Sequence, residues 1–333
     1  MREGVTTASS VRSIDGYGER ALHWLVLSGN RIAVAAVLLA AVVGVFATLT
    51  QVGLLAVGPR SAAASAFASG FISGTVTLVT IALSINQLIL SRVFGSPDEL
   101  FEQLDGTRDL RRRVRDHAGD AVVPNDPAEF LGLVAETLTE RANRLDSARR
   151  NADADLPDEL GDYAAGIAAY GESITAKIES GTAIVNVLEV ILGTEYARNL
   201  TATEQVRNEY GDRLSETATA ELDAIEDLLE AIAVTRQFFK TLSLQQDFAR
   251  LSRVVAYTGL LALVVSVALA LVYRPDSVTV PAGTLPLVVS VGIGVIVTPM
   301  AVFIAYMFRA ATIARQTVSV GPFAPPADRT DDG

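Results

Sequence analysis

The sequence predicts an all-α integral membrane protein: four transmembrane helices, arranged two plus two, with a cytoplasmic helical bundle inserted between spans 2 and 3. Three observations predict it. Half of the 333 residues are hydrophobic although the net charge is −11, a combination that requires apolar and charged residues to be segregated along the chain. Four stretches without a formal charge, 32–57, 61–91, 254–273 and 285–308, can each cross a bilayer core of about 30 Å at about 1.5 Å per residue. Between the second and third, residues 96–250 are charged and carry apolar residues at helical spacing.

Composition excludes several chemistries. The chain has no cysteine, so disulfides, thiolate nucleophiles, Cys-ligated zinc and iron–sulfur clusters are ruled out. His23 and His117 are its only histidines, which argues against a multi-histidine metal site. Lys177 and Lys240 are the only lysines, and such an acid-rich, lysine-poor composition suits a high-salt, halophilic cytosol. Phosphate-binding glycine loops, paired-histidine zincin signatures, Gly-x-Ser-x-Gly elbows and dinucleotide fingerprints are all missing. The expectation is a protein that is not an enzyme and needs no cofactor or metal.

The N-terminal segment, residues 1–31, is expected in the cytoplasm and lacks the pattern of a removable signal peptide. Within it, Gly18 to Asn30 reads either as an interfacial helix with Trp24 at lipid headgroup level or as the lead-in to the first span. A transmembrane hairpin (32–92) follows, its spans at 32–57 and 61–91 joined by a tight turn through Gly58, Pro59 and Arg60.

The second span is unusual in its polar content. Ser65, Ser69, Ser73, Thr77, Thr80, Ser84, Gln87 and Ser91 recur every three or four residues and so share one helix face. Polar groups gain nothing from lipid tails, so this face should meet other helices, a second copy or water. In one reading it lines a conducting path with Arg92 as a positive ring at the cytoplasmic mouth. In the other it packs helices by hydrogen bonds and small size, an option strengthened by Ala66, Gly70 and Gly74 on the same helix.

Beyond Gly95, the sequence Ser96-Pro97-Asp98-Glu99 carries the cap, proline and first-turn acids of a new helix, and Asp126-Pro127 restarts the chain in the same way. Arg108, Arg111, Arg112, Arg113 and Arg115 form one dense basic run. It either contacts lipid headgroups, chiefly through Arg108, Arg111, Arg112 and Arg115, or pairs with Asp105, Asp109 and Asp116. Without interleaved aromatics, and in an acidic chain, it is not expected to bind nucleic acid. Asp153, Asp155, Asp158, Glu159 and Asp162 form an acidic turn that lacks the pattern of a calcium loop.

A long helix is expected from Asp158 to Gly193. Another is expected from about Thr203, with a near-heptad stripe from Leu214 to Leu242 and no proline before Pro275, so that it can run straight into the third span. The second hairpin (254–308) has spans at 254–273 and 285–308, and Thr298 with Pro299 predicts a kink or an unwound turn in the last one. The tail (309–333) is cytoplasmic and expected to be disordered at its Pro- and Asp-rich end. Near the membrane, Arg20, Arg31, Arg92, Lys240, Arg250, Arg253, Arg309 and Arg315 stand on one side against Arg60 and Arg274 on the other, which puts both termini in the cytoplasm of a multi-pass cell-membrane protein. The sequon Asn199-Leu200-Thr201 points the other way.

The run Ser84-Ile85-Asn86-Gln87-Leu88-Ile89-Leu90-Ser91, with the Gly-Ser-Pro turn and the acidic-then-basic helix after it, resembles a group of uncharacterised haloarchaeal four-span membrane proteins. The order of spans and cytoplasmic domain is loosely similar to the bestrophin anion channels, which implies a homo-oligomer with the second helix at the pore. Two functional expectations result. One is a passive, anion-leaning ion channel; the other is a membrane-anchored signalling or scaffolding module whose helical bundle binds a cytoplasmic protein partner.

Overall fold

The computed structural model describes residues 5–10, 16–58, 61–93, 96–119, 122–151, 157–179, 195–274 and 277–316. Its helices of more than one turn are α1 (Tyr17–His23), α2 (Arg31–Gln51), α3 (Ile72–Val93), α4 (Pro97–His117), α5 (Pro127–Arg150), α6 (Asp158–Glu179), α7 (Glu195–Tyr210), α8 (Glu216–Val272) and α9 (Leu285–Gln316), and a single α-helical turn covers Ala63–Ser65. Turns of π-helix at Trp24–Ser28 and Ala66–Phe71 precede α2 and α3, and β1 (Tyr273–Arg274) pairs antiparallel with β2 (Ser277–Val278) between α8 and α9. Four helical stretches are long and apolar enough to cross a membrane: Arg31–Gln51, Ala63–Leu88, Glu216–Val272 and Leu285–Ala314. The chain divides into two compact units. One, the span unit, comprises Tyr17–Gly95 and Leu244–Thr312; the other, the helical unit, comprises Met1–Gly16, Ser96–Ser243 and Ile313–Gly333.

In the span unit, Val34 and Ala35 of α2, Leu78 and Ala82 of α3, Leu251 and Val255 of α8, and Ala301, Val302 and Ala305 of α9 form one buried cluster. A second gathers Phe67 with Leu269, Tyr273, Leu285, Val289, Ile293 and Ile296. Small residues set the helix contacts. A Cβ on Gly259 of α8 would lie 2.4 Å from Val79 of α3, and one on Gly292 of α9 would lie 2.4 Å from Leu269 of α8. Glycine is what lets these pairs approach. Outward, Val45, Ile81, Val264 and Val291 are exposed, as a lipid-facing surface requires.

Two spans differ from one of the expectations held for them. The first helix ends at Gln51, not 57, because Gly53 adopts a left-handed φ of +77° and the Leu54 N–H turns back to Leu49 O at 3.0 Å, closing the helix end. The last span is continuously α-helical through Pro299, so the unwound turn expected as one alternative is absent there, and the Thr298 hydroxyl donates to Gly294 O at 2.8 Å beside the position where proline lacks an N–H.

The helical unit starts from its caps. Ser96 Oγ accepts the Glu99 N–H while the Glu99 carboxylate accepts the Ser96 N–H, a reciprocal box that begins α4, and Asp126 accepts the N–H groups of Ala128 and Glu129 to begin α5. The core is supplied at helical spacing by Leu131, Val134, Leu138 and Leu145 of α5, Ile167, Tyr170 and Ile174 of α6, and Leu222, Ile225, Leu229 and Ile232 of α8. The helix expected from Thr203 is in fact two. Gly211 opens a 3-10 turn after α7, and the Ser215 hydroxyl accepts the Ala218 N–H to start α8 afresh. The stretch 180–194, with Val185, Leu188, Leu192 and Gly193, lies outside the described residues, as do Arg60, Gly95, Asp153, Asp155 and the tail 317–333.

The sequon asparagine has a structural use. Asn199 is fully buried; its amide oxygen accepts the Ala8 N–H at 2.8 Å and its amide nitrogen donates to Ala8 O at 3.3 Å, which pins residues 5–10 to the helical unit. Beside it, a Cβ on Gly166 would stand 1.9 Å from Thr7 Oγ1. Gly166→Ala is therefore expected to displace residues 5–10, read as a rise in amide exchange at Ala8 to the rate of an open chain. Unchanged protection there would mean that the contact does not form.

Candidate functional site

α3 packs on its own chain through Thr75, Leu78 and Ala82, with Phe67 joining from the π-turn. At 3.6 residues per turn, Ser73, Thr77, Thr80, Ser84 and Gln87 lie about half a turn away from that face, and each is exposed. Ser65 and Ser69 are exposed too, but Ser69 sits inside the wider π-turn, so the alignment expected for the whole run holds from Ser73 onward. Ser91 and Arg92 belong to the backbone of α3, and their side chains lie outside those described.

The stripe divides by how its members are satisfied. Ser65, Ser69, Thr80 and Ser84 donate to carbonyls three or four residues back, at 2.7 to 2.9 Å, which a helix can do with no neighbour. Ser73, Thr77 and Gln87 have no hydrogen-bond partner among the described residues. Gln87 matters most, because a primary amide cannot meet its hydrogen-bonding capacity on its own helix. On the adjoining side Ala66 is exposed, and a Cβ on Gly70 or Gly74 would have nothing within 4 Å. The close approach that these glycines permit is thus not used among the described residues.

Sequence reasoning missed a charged node in the span unit. Arg31, Asp247 and Arg309 are 4%, 8% and 6% exposed. Arg309 Nη1 contacts both Asp247 oxygens at 3.2 Å, and its Nε and Nη2 donate to Leu27 O and Gly29 O at 3.0 Å. Arg31 donates to the carbonyls of Trp24, Leu25, Gly29 and Ala305, the Gly29 contact at 2.8 Å from Nε. The Arg309 guanidinium is thus bonded to the one carboxylate, the Arg31 guanidinium feels its charge without touching it, and main-chain oxygens supply the remaining acceptors. The node fixes the Trp24–Asn30 segment onto α8 and α9. Trp24 is partly exposed, and its ring covers Gly29, where a Cβ would meet the indole at 2.8 Å. Arg31 and Arg309 are charges any reader would count; only the fold brings them to Asp247.

The basic run of α4 is engaged locally. Arg111 donates to Val123 O and Pro124 O at 2.7 Å, holding the loop before α5. Arg112 and Arg113 share Asp109, whose carboxyl their hydrogen bonds hold below the usual range. Arg108 lies 3.6 Å from Asp105 and Arg115 lies 3.8 Å from Asp116. On the same face as Arg108, Arg111 and Arg115, Leu100, Phe101 and Leu104 are exposed one to four turns earlier. Elsewhere in the helical unit, Arg141 joins Glu221 at 3.2 Å and His117 meets Asp227 at 2.9 Å. Burial raises the Tyr163 phenol pKa, and its hydroxyl lies 2.7 Å from that of Thr203. Among the described residues no three His, Asp or Glu side chains gather as a metal site would require.

Four helices long and apolar enough to cross a membrane, in a chain whose charged helical unit has a core of its own, are consistent with a polytopic α-helical membrane protein. The chain belongs to a family of unknown function (DUF7972), whose model matches residues 5–332. No curated protein and no solved structure matches it.

Proposed function

We propose that the protein is a non-enzymatic, homo-oligomeric component of the cell membrane in which the α3 helices of several copies face one another and line a passive, anion-leaning ion path. The observation that carries this reading is the position of the hydroxylated face, opposite the side by which α3 packs on its own chain and exposed among the described residues. In this reading the two hairpins precede and follow a cytoplasmic helical unit in the sequence, with both termini on that side, which the bias of arginine and lysine supports. Burial of Asn199 supports this side, because its carboxamide has no room for a glycan. The acid-rich, lysine-poor composition supports a halophilic source, and the order of spans supports a bestrophin-like topology.

Purified protein in a planar bilayer tests the path. Unitary currents are expected, reduced in amplitude by Ser73→Leu and Gln87→Leu; silence from protein shown to be folded and oligomeric would rule the path out. One further observation favours a second reading. α8 is uninterrupted over 57 residues, from the helical unit into the span unit, so it is suited to carry a signalling or scaffolding module's response to a bound cytoplasmic partner. Silent bilayers together with a soluble protein retained through purification would support that role.

A further inference from the structure

The span unit contains an open cleft of about 310 Å³ between α3 and α8, lined by Asn86, Ala249, Ser252, Arg253, Ala256 and Tyr257. Its polar members are unusual in one respect. Asn86, Ser252, Arg253 and Tyr257 have no hydrogen bond or ion pair among the described residues, although Ser252 is only 6% exposed. A carboxamide, two hydroxyls and a guanidinium therefore converge on one opening with their donors unspent. Nearby arginines behave differently, since Arg309 and Arg31 are consumed by Asp247 and by carbonyls. Arg253 and Tyr257 also stand at the start of the apolar run of α8, the level at which a span meets headgroups.

We propose that this cleft is a binding site for the phosphate of an anionic phospholipid headgroup, seated between α3 and α8. Arg253 supplies the charge and a forked pair of donors suited to two phosphate oxygens. Asn86 and Ser252 donate from the walls, and the Tyr257 ring, 71% exposed, lies along the first carbons of the acyl chains with its hydroxyl at the headgroup. An isolated interfacial arginine would need only water around it. The three further unpartnered polar groups, one nearly buried, make this a built site for a particular anion. The assignment does not depend on whether α3 lines an ion path.

Full-length protein, stripped of lipid in detergent and titrated with phosphatidylglycerol or phosphatidylcholine, provides the test by native mass spectrometry. The expected result is one tightly held phosphatidylglycerol per chain and weaker retention of phosphatidylcholine. Arg253→Gln should reduce that retention by roughly tenfold or more, the loss expected for one charge-assisted contact, and Asn86→Leu by a smaller factor. Arg250→Gln is the control, because Arg250 is exposed three residues earlier and does not line the cleft. Equal losses for Arg250→Gln and Arg253→Gln would show general surface attraction and overturn the proposal. So would saturation by inorganic phosphate at concentrations that leave lipid unbound, which would assign the cleft to a free anion. The change in melting temperature on adding lipid, measured for each variant, separates a lost site from a lost fold.

Discussion

Asp247→Ala is expected to destabilise the span unit by about 3–5 kcal/mol, the range for removing one partner of a buried ion pair. Both Arg309 and Arg31 would keep their charge where Arg309 is 6% exposed and Arg31 4% exposed, with only carbonyl oxygens left to face them. The chain supplies its own reporter. Trp24 is the only tryptophan, and its carbonyl accepts from Arg31, so the red shift of its emission during heating follows release of this segment. Removing a cation together with the carboxylate, as in Asp247→Ala with Arg309→Met, should recover most of the loss. A single variant within about 1 kcal/mol of the parent would place the carboxylate in water, contrary to the burial seen.

Filling the glycines should have opposite consequences at two sets of positions. Gly292→Leu and Gly259→Leu drive side chains into Leu269 and Val79, each 2.4 Å from the first added carbon, and overpacking of this kind costs about 1–3 kcal/mol. The milder Gly292→Ala should be relieved by Leu269→Ala, since the collision is with a side-chain methyl. A Cβ at Gly70 or Gly74 would meet nothing within 4 Å, so Gly70→Leu and Gly74→Leu should not lower the melting temperature of the single chain. If copies assemble through α3, the same two variants should shift the protein to smaller species in light scattering. Unchanged assembly would remove α3 from the interface, and with it a path lined by Ser73, Thr80 and Gln87.

What could be read in advance follows from the range of the signals. The four apolar stretches announce themselves because hydropathy is a local property, and Ser96 and Asp126 announce helix starts because a cap is complete within a few residues. The absence of proline likewise foretold that α8 would continue unbroken into its apolar half. The division at Gly211 was hidden, because Leu214 falls in phase with the stripe of Leu222 and Leu229, and a periodic pattern does not register a turn that preserves its phase. The π-turn at Ala66–Phe71 was hidden for a related reason: an alignment computed at one fixed winding cannot anticipate a change of winding.

The candidate sites show the same contrast. The stripe of α3 lies on one helix and was visible as spacing. The node joins residues 31, 247 and 309, and the cleft joins Asn86 to Ser252 and Arg253, separations over which no sequence pattern carries information. Arginines near a span are counted for orientation, and that count gives the same weight to the buried Arg309 and the open Arg253. Only packing tells them apart.

The docking of Ala8 against Asn199, with Thr7 seated over Gly166, has a practical corollary for anyone handling the protein. A purification handle or fluorescent fusion joined directly ahead of Val5 would press its bulk against this seat and could pry the leading peptide loose. Such an attachment needs a supple spacer, and an untagged version belongs beside it in every measurement of yield.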